Sequence, residues 1–234
     1  PVTESRAEPQ AEEATGVFFD PRPPRTGESP GEIVSGFLEA MKATPVRTSV
    51  ARQFLSADAR RAWAPERQVL TYGDITPPDG GTVMSVELSD VDAYDERGAW
   101  VRATPTRSLR FSVVEEDGEW RLSTVPDALI VPDDWFDDWY QRLSTYYFDP
   151  RAEILVPEPV FVPRGDQMAS FLVRSLLAPP RHVSSGVVRT FFQPGMSDGL
   201  SVPVSQAGVA EVSLSGDPAL VEAAGLDRML AQLV

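Results

Sequence analysis

A chain of 234 residues with 42% hydrophobic side chains is longer than most single domains and can supply two hydrophobic cores. Its net charge of −14 would repel phosphate backbones and anionic lipid headgroups, which argues against nucleic-acid binding. The sequence contains no cysteine, so disulfides, thiolate zinc sites and thiol nucleophiles are excluded within these residues, and a single histidine, His182, excludes a multi-histidine metal site.

The first 27 residues are predicted to form a tether and an arm rather than part of a core. Residues 1–16 are acidic, rich in Ala and Glu and without apolar periodicity, which is typical of a flexible tether. Residues 16–26 combine Phe18 and Phe19 with three prolines. This composition predicts an extended arm that lays two aromatic side chains on the folded body.

Residues 29–43 carry the clearest helix signals in the chain. Ser29 and Glu32 have the spacing of a capping box, and Pro30 stands at the first helical position, where its missing N–H costs nothing. The helix should end before Pro45. One face is apolar and needs a sheet to pack on. Its residues are Ile33, Val34, Phe37, Leu38 and Met41.

A curled antiparallel sheet is predicted to follow. Residues 48–63 indicate one or two short helices, with a cap at Ser56. From residue 69 the apolar period changes to two, and Asp117 with Gly118 forms a strong type I′ hairpin signal. Helices packed on one face of such a sheet make an α+β domain over residues 28–132. The predicted strands are 69–75, 83–93, 99–104, 109–114 and 119–123.

Residues 133–144 are predicted to form an aromatic helix that connects two domains. One side of the sequence DDWFDDWYQRL carries Trp135, Phe136, Trp139 and Tyr140. We interpret these aromatics as the contact between the domains. The alternative is an exposed patch that docks a partner or enters a membrane interface, although four nearby aspartates argue against an anionic membrane.

A second α+β domain is predicted over residues 145–234. Strands are expected at 145–148 and 154–162, a helix capped by Asp166 at 166–177, and a last helix opened by Asp217 and Pro218. The last helix reaches Val234 without a stop signal, so we expect this domain to be truncated at its C-terminal end. Further strands are expected at 187–192, 200–204 and 209–214.

Catalytic, cofactor and metal sites are not predicted. The sequence lacks the glycine-rich nucleotide motifs and the GxSxG nucleophile motif. The aspartate pairs at 133–134 and 137–138 could bind a cation, but the helix dipole already explains acidic residues at a helix start. His182 is expected on a surface loop. An alternative function is a small-ligand binder or enzyme with an apolar pocket in the curled sheet, although a packed core explains the same aromatics. Its lining would be Trp63, Tyr72, Phe111 and Trp120.

Three segments resemble a known family. They are PPRTGESPGEIVSGFLEA at 23–40, the WRL after the predicted hairpin turn, and residues 144–163, from STYYFDP to LVPEPVFVP. Together they are similar to the LpqB-type lipoproteins of actinobacteria. The resemblance implies a cystatin-like or NTF2-like first domain, a GerM-like second domain with its helix at 170–177, and a β-propeller that this chain lacks. Ala178 and Pro179 stand where the family often has Gly-Pro.

The same resemblance implies a function in the cell envelope. A family member is exported, lipidated on an N-terminal cysteine and held at the outer face of the cell membrane, so this chain would be a fragment whose only membrane attachment is an absent lipid. The family is associated with the MtrA–MtrB two-component system as an accessory lipoprotein that acts on the extracytoplasmic part of the sensor kinase MtrB. We therefore expect a non-enzymatic protein-interaction module, with no cofactor and no catalytic residue carried over.

Overall fold

The computed structural model describes five segments of the chain, which are residues 19–178, 186–193, 195–199, 201–215 and 223–233. The predicted tether, Phe18, His182 and the predicted cap at Asp217 and Pro218 lie outside these residues.

The first unit begins with helices whose local signals were predicted. The capping box is confirmed, because Ser29 N donates to Glu32 Oε2 at 2.8 Å and Glu32 N donates to Ser29 Oγ at 3.5 Å. The Ser56 side chain also caps the second helix, where it accepts from Ala59 N. The elements are α1 (Pro30–Ala40), a 3₁₀ turn (Ala51–Phe54), α2 (Ala57–Ala62) and a second 3₁₀ turn (Pro65–Arg67).

A seven-stranded sheet curls around α1 and completes the first unit. Its main order is β6-β5-β4-β1-β7, and β2 and β3 also pair with β4. Pairing is antiparallel except between β1 and β7, which are parallel. The strands are β1 (Gln68–Tyr72), β2 (Asp74–Ile75), β3 (Asp79–Gly80), β4 (Val83–Asp95), β5 (Trp100–Glu116), β6 (Glu119–Thr124) and β7 (Leu129–Pro132).

Two features of the sheet differ from the prediction. Strand β5 is continuous, whereas a break was expected around Pro105. The residues on either side of Pro105 pair with those on either side of Asp90, whose φ is 52°. In the described structure β6 pairs with β5 only from Ser112 onward, so Pro105 lies on a free edge, where its missing N–H is tolerated. Strand β7 was not predicted, because four residues without alternation carry little strand signal.

Helix α1 fills the concave face of the sheet. Phe37 is fully buried, with its ring 5.2 Å from that of Trp63 and 6.2 Å from that of Phe111. The predicted hairpin is confirmed, since Asp117 and Gly118 have φ values of 55° and 78° between β5 and β6. The core of the first unit is thus a helix packed on a sheet, as the α+β class predicts.

The second unit starts with the connecting helix and a long hairpin. The elements are α3 (Asp133–Trp139), β8 (Tyr140–Phe148), β9 (Leu155–Pro163), α4 (Met168–Leu177), β10 (Ser197–Asp198), β11 (Leu214–Ser215) and α5 (Ala223–Leu233). The structure is therefore α+β in both units, with α3 between two sheets.

Three boundaries in this unit are corrected. The connecting helix ends at Trp139 rather than residue 144, because Tyr140 already pairs with Pro163 in the β8–β9 hairpin. The N-cap of α4 is Gln167 rather than Asp166. In the described part of residues 186–215, the predicted strands reduce to β10, β11 and isolated bridges. This region is rich in Gly, Pro and Ser, which interrupt strand pairing.

The packing of α1 gives the first test. A Cβ at Gly36 would lie 2.5 Å from Phe54 Cε1, a buried ring in the first 3₁₀ turn, whereas a Cβ at Gly31 would lie 3.7 Å from Met84 Cε. Gly36→Ala should lower the free energy of unfolding by about 1–3 kcal/mol through overpacking, despite the better helix propensity of Ala. Gly31→Ala is the matched control and should not destabilise. Urea unfolding of both variants measures the difference, and equal effects would contradict the packing.

Candidate functional site

The turn between β4 and β5 inserts into the second unit. Phe161 N donates to Gly98 O at 2.8 Å, and Ala99 pairs with Val160 as an isolated antiparallel bridge. Gly98 has a φ of 77°, and a Cβ there would lie 2.1 Å from Phe161 O. Only glycine allows the two backbones to approach this closely.

Arg97 in this turn is the centre of a buried polar network. Its side chain is 4% exposed and forms a bidentate pair with Glu158 of β9, with Nη1 donating to Oε2 at 2.8 Å and Nη2 to Oε1 at 3.1 Å. Asp95 Oδ2 lies 3.6 Å from Arg97 Nε, and Tyr147 OH accepts from Nη1 at 3.3 Å. The Ser175 hydroxyl of α4 donates to the Arg97 carbonyl. Three elements of the second unit therefore hold one residue of the first.

The charge of Arg97 is secured by its partners. Burial alone lowers the pKa of an arginine, but the hydrogen bonds and charge of Glu158, with the charge of Asp95, more than offset it and hold the pKa of Arg97 above its usual value. Asp95 is fixed in turn, because its Oδ1 accepts from the backbone N of Arg97 and of Ala99, both at 3.0 Å.

The predicted contact residues of the connecting helix lie beside this network. Phe136 and Tyr140 are 2% and 7% exposed, and their rings stack at 4.4 Å. The ring of Phe136 also stacks on Tyr94 of β4 at 4.6 Å and lies 5.5 Å from Phe161 of β9. These four aromatic side chains form a wall that joins the two units, and we call them the aromatic wall.

Trp135 and Trp139 have a different environment. Both are half-buried against the core of the first unit, and Trp135 Nε1 donates to Lys42 O at 2.9 Å. The structure therefore separates the four predicted contact residues. Phe136 and Tyr140 belong to the aromatic wall, and the two tryptophans hold α3 on the first unit.

The residues proposed to line a pocket in the curled sheet lie in the core. Trp63, Tyr72 and Phe111 are buried around α1, and Trp120 is half-buried against the same cluster. Trp63 Nε1 donates to Pro126 O at 3.0 Å. Burial, with the nearby charges of Glu39 and Asp134, raises the pKa of Tyr72 to about 12, so its phenol stays neutral.

Two cavities border the turn that carries Arg97. The first, which we call the cleft, has a volume of about 510 Å³ and lies between the aromatic wall and α4. The second, the Trp100 groove, has a volume of about 330 Å³ and opens on the other side. Trp100 is 55% exposed, and its Nε1 donates to Asp92 Oδ1 at 2.8 Å. Trp100 was correctly predicted to lie in a strand, but no local sequence signal indicated that its side chain is exposed to solvent.

An acidic cluster lies beside α3. Burial is the main factor that raises the pKa of Asp133, and the charges of Asp92, Asp137 and Asp90 raise it further against a hydrogen bond from Thr71. Within the described residues, no group of three or more acidic, histidine or cysteine side chains has the arrangement of a metal site.

Comparison with known proteins matches each of the two units to a different family model. The family model described as "Lipoprotein LpqB, N-terminal domain" matches residues 23–137, and the one described as "Sporulation and spore germination" matches residues 144–234. The chain therefore contains an LpqB-type N-terminal domain followed by a sporulation and spore germination domain. The predicted resemblance is confirmed, and the interval between the two matched domains begins at the end of α3.

Individual LpqB relatives are similar over nearly the whole chain. Lipoprotein LpqB of Cutibacterium acnes is 27% identical and that of Thermobifida fusca 28%, and the matches cover 90% and 92% of this chain. Lipoprotein LpqB of Streptomyces coelicolor is 26% identical over 97% of the chain. The chain spans 36% of the length of the first two relatives and 43% of the third.

These relatives are named as lipoproteins. No solved structure matches the chain, so the cystatin-like or NTF2-like label for the first unit stays a prediction. Among the described residues, no helix has the length and apolar character needed to cross a bilayer.

The ion pair between the units can be tested by removing one charge. Glu158→Gln keeps the side-chain shape but leaves Arg97 buried without its main partner, and should destabilise the chain by about 3 kcal/mol. The matched control is Glu153→Gln, an exposed residue just before β9. Thermal unfolding gives the comparison. Similar melting temperatures for the two variants would show that the pair does not hold the units together.

The acidic cluster predicts a pH dependence of stability. Because the pKa of Asp133 is raised by folding, its ionised form destabilises the folded state at neutral pH, and this penalty disappears as the pH falls through the folded pKa toward the unfolded one. Asp133→Asn should therefore raise the melting temperature at pH 7 and lose this gain at acidic pH.

Asp138→Asn is the control for that experiment. Asp138 is exposed on the same helix, and its charge is not among those that act on Asp133. Melting curves of both variants across the pH range measure the effect. A gain for Asp133→Asn that persists at acidic pH, or an equal gain for Asp138→Asn, would contradict the predicted role of the cluster.

Proposed function

We propose that this chain is the extracytoplasmic, non-enzymatic interaction part of a lipid-anchored envelope protein, and that it contacts the sensor kinase MtrB as an accessory factor of the MtrA–MtrB system. Similarity to proteins named lipoprotein LpqB supports the lipid anchor. The resemblance described from the sequence supports the kinase as the partner. An exposed apolar groove in the described structure supports an interaction role.

The observation that carries this proposal is the Trp100 groove. Trp100 and Ala99 come from the first unit, and Val156, Pro157 and Val187 come from the second. Trp100, Val156 and Val187 are 55%, 37% and 59% exposed, which is unusual for large apolar side chains that lie together. Tryptophan is also the side chain most enriched at the energetic centres of protein interfaces.

The groove offers a partner a preformed surface. Hydrogen bonding to Asp92 fixes the orientation of the Trp100 ring, and Glu158, which lines the groove, is fixed by Arg97. Little conformational entropy is then lost when a partner binds. Because both units line the groove, a partner that binds there recognises their relative arrangement and not one domain alone.

The alternative of a ligand pocket in the curled sheet has less support. Its proposed lining packs around Phe37 of α1, which occupies the concave face of the sheet. The connecting helix is a weaker candidate for partner docking than the groove, since Phe136 is buried and Trp135 is engaged with Lys42.

Titration of this chain with the extracytoplasmic domain of MtrB tests the proposal. Trp100→Ser should weaken the affinity by at least about tenfold, because truncating an interface tryptophan typically costs about 2 kcal/mol or more. The matched control is Val114→Ser, an exposed apolar residue of β5 away from the groove, which should bind as the parent does. Calorimetry measures both affinities.

The lipidated longer protein, presented in membranes, is the second arm of this experiment. If it also fails to bind the kinase domain, the proposed partner is wrong. If it binds and Trp100→Ser has no greater effect than Val114→Ser, the kinase is the partner but the groove is not its contact surface.

A further inference from the structure

We propose that the cleft between the two units binds a single-chain anionic amphiphile, with its hydrocarbon part against the aromatic wall and its acid group held by arginine side chains and the Tyr140 hydroxyl. This inference goes beyond the proposed function, because it concerns a different cavity and a small molecule rather than a protein.

The size and lining of the cleft are those of a small-molecule site. Its volume of about 510 Å³ falls within the range of about 300–1,000 Å³ that is typical of such sites. Apolar side chains from both units form much of the lining, which suits a hydrocarbon chain. They include Val69, Leu129, Phe136, Phe161 and Phe171.

Tyr140 supplies a hydroxyl group for which the described residues offer no hydrogen-bond partner. The residue lines the cleft and is 7% exposed, yet its hydroxyl makes no hydrogen bond to any other described residue. The hydroxyl is not among the described side-chain atoms that are sealed from solvent without a partner, so it remains accessible to solvent or to a ligand. A ligand with an acceptor oxygen in the cleft would satisfy this donor.

The charge of the lining favours an anion. Arg47, Arg52, Arg97 and Arg174 all line the cleft, and Arg97 is paired with Glu158. The same lining also contains Glu66, Asp95 and Glu96, so four basic against three acidic residues leave it with a net charge of +1 in a chain whose net charge is −14.

The existing contacts of two of these arginines leave room for a ligand. Arg47 pairs with Asp20 at 2.6 Å, but both side chains are well exposed, and such a pair contributes little to stability and is easily exchanged. Arg52 donates to the Arg60 carbonyl through Nη1 and lies over the Trp63 ring. Guanidinium groups bind carboxylates in a planar, often bidentate geometry, so a carboxylate is the acid group that we assign.

Displacement of a fluorescent probe tests the inference directly. The folded chain is loaded with 8-anilinonaphthalene-1-sulfonate, an aromatic anion, and titrated with dodecanoate, dodecanol or dodecyltrimethylammonium below their micelle concentrations. We expect dodecanoate to displace the probe at one site, with an affinity at least about tenfold above those of the neutral and cationic compounds. Failure of dodecanoate to displace the probe, or equal displacement by dodecanol, would overturn the proposal.

Two variants locate the site. Thr48 lines the cleft and is only half-buried, so Thr48→Trp should fill the cavity and weaken dodecanoate binding at least about tenfold, whereas Thr106→Trp on the exposed part of β5 should not. Tyr140→Phe removes only the hydroxyl. It should weaken the binding of dodecanoate severalfold and that of dodecanol less, because a hydrogen bond to a carboxylate is stronger than one to an alcohol oxygen. Circular dichroism checks that each variant folds, and unchanged binding in both Thr48→Trp and Tyr140→Phe would refute the site.

A third variant separates this inference from the proposed function. The probe could also bind the Trp100 groove, which is apolar and exposed. Trp100→Ser should therefore keep the dodecanoate-sensitive signal. If Trp100→Ser abolishes that signal, the ligand binds the groove and the cleft proposal is wrong. Kinase binding is measured independently of this signal, so either proposal can fail without the other.

Discussion

The arrangement of the two units depends on the buried pair between Arg97 and Glu158. Moving two charges out of water is expensive, and only good geometry with further hydrogen bonds offsets the cost. Both conditions hold, because the contact is bidentate and Asp95 and Tyr147 approach the same guanidinium. A different orientation of the units would leave a buried charge without its partner. The ion pair therefore determines the relative orientation of the two units more than the strength of their association.

The strength of the junction comes mainly from the aromatic wall. Burial of large aromatic rings is favourable but almost non-directional, so it favours contact without selecting one arrangement. Helix α3 has only seven residues and would not be stable alone in water. Phe136 anchors it in the wall, and Trp135 anchors it to Lys42 of the first unit. The short helix α3 therefore connects the two units rigidly, because its side chains contact both of them.

The sequence predicted correctly those features that depend only on interactions between neighbouring residues. The capping box at Ser29 and the turn at Asp117 and Gly118 depend on a few neighbouring residues, and both formed as predicted. The helical period around Tyr140 was misleading, because pairing with β9 across the sheet outweighs a local preference. The role of Arg97 had no local signal at all. Its partner Glu158 lies 61 residues away, and nothing in the sequence of either segment indicates the other.

The same turn separates the two cavities. Arg97 and Gly98 line the cleft, whereas Ala99, Trp100 and the partner carboxylate of Glu158 line the Trp100 groove. The buried ion pair therefore lies between the cleft and the Trp100 groove. Gly98 leaves almost no space between this turn and the Phe161 backbone, so the turn cannot move without moving β9. The contacts of this turn, which fix the arrangement of the two units, thus also fix the shapes of the cleft and the Trp100 groove. A change in the turn that alters one cavity therefore alters the other.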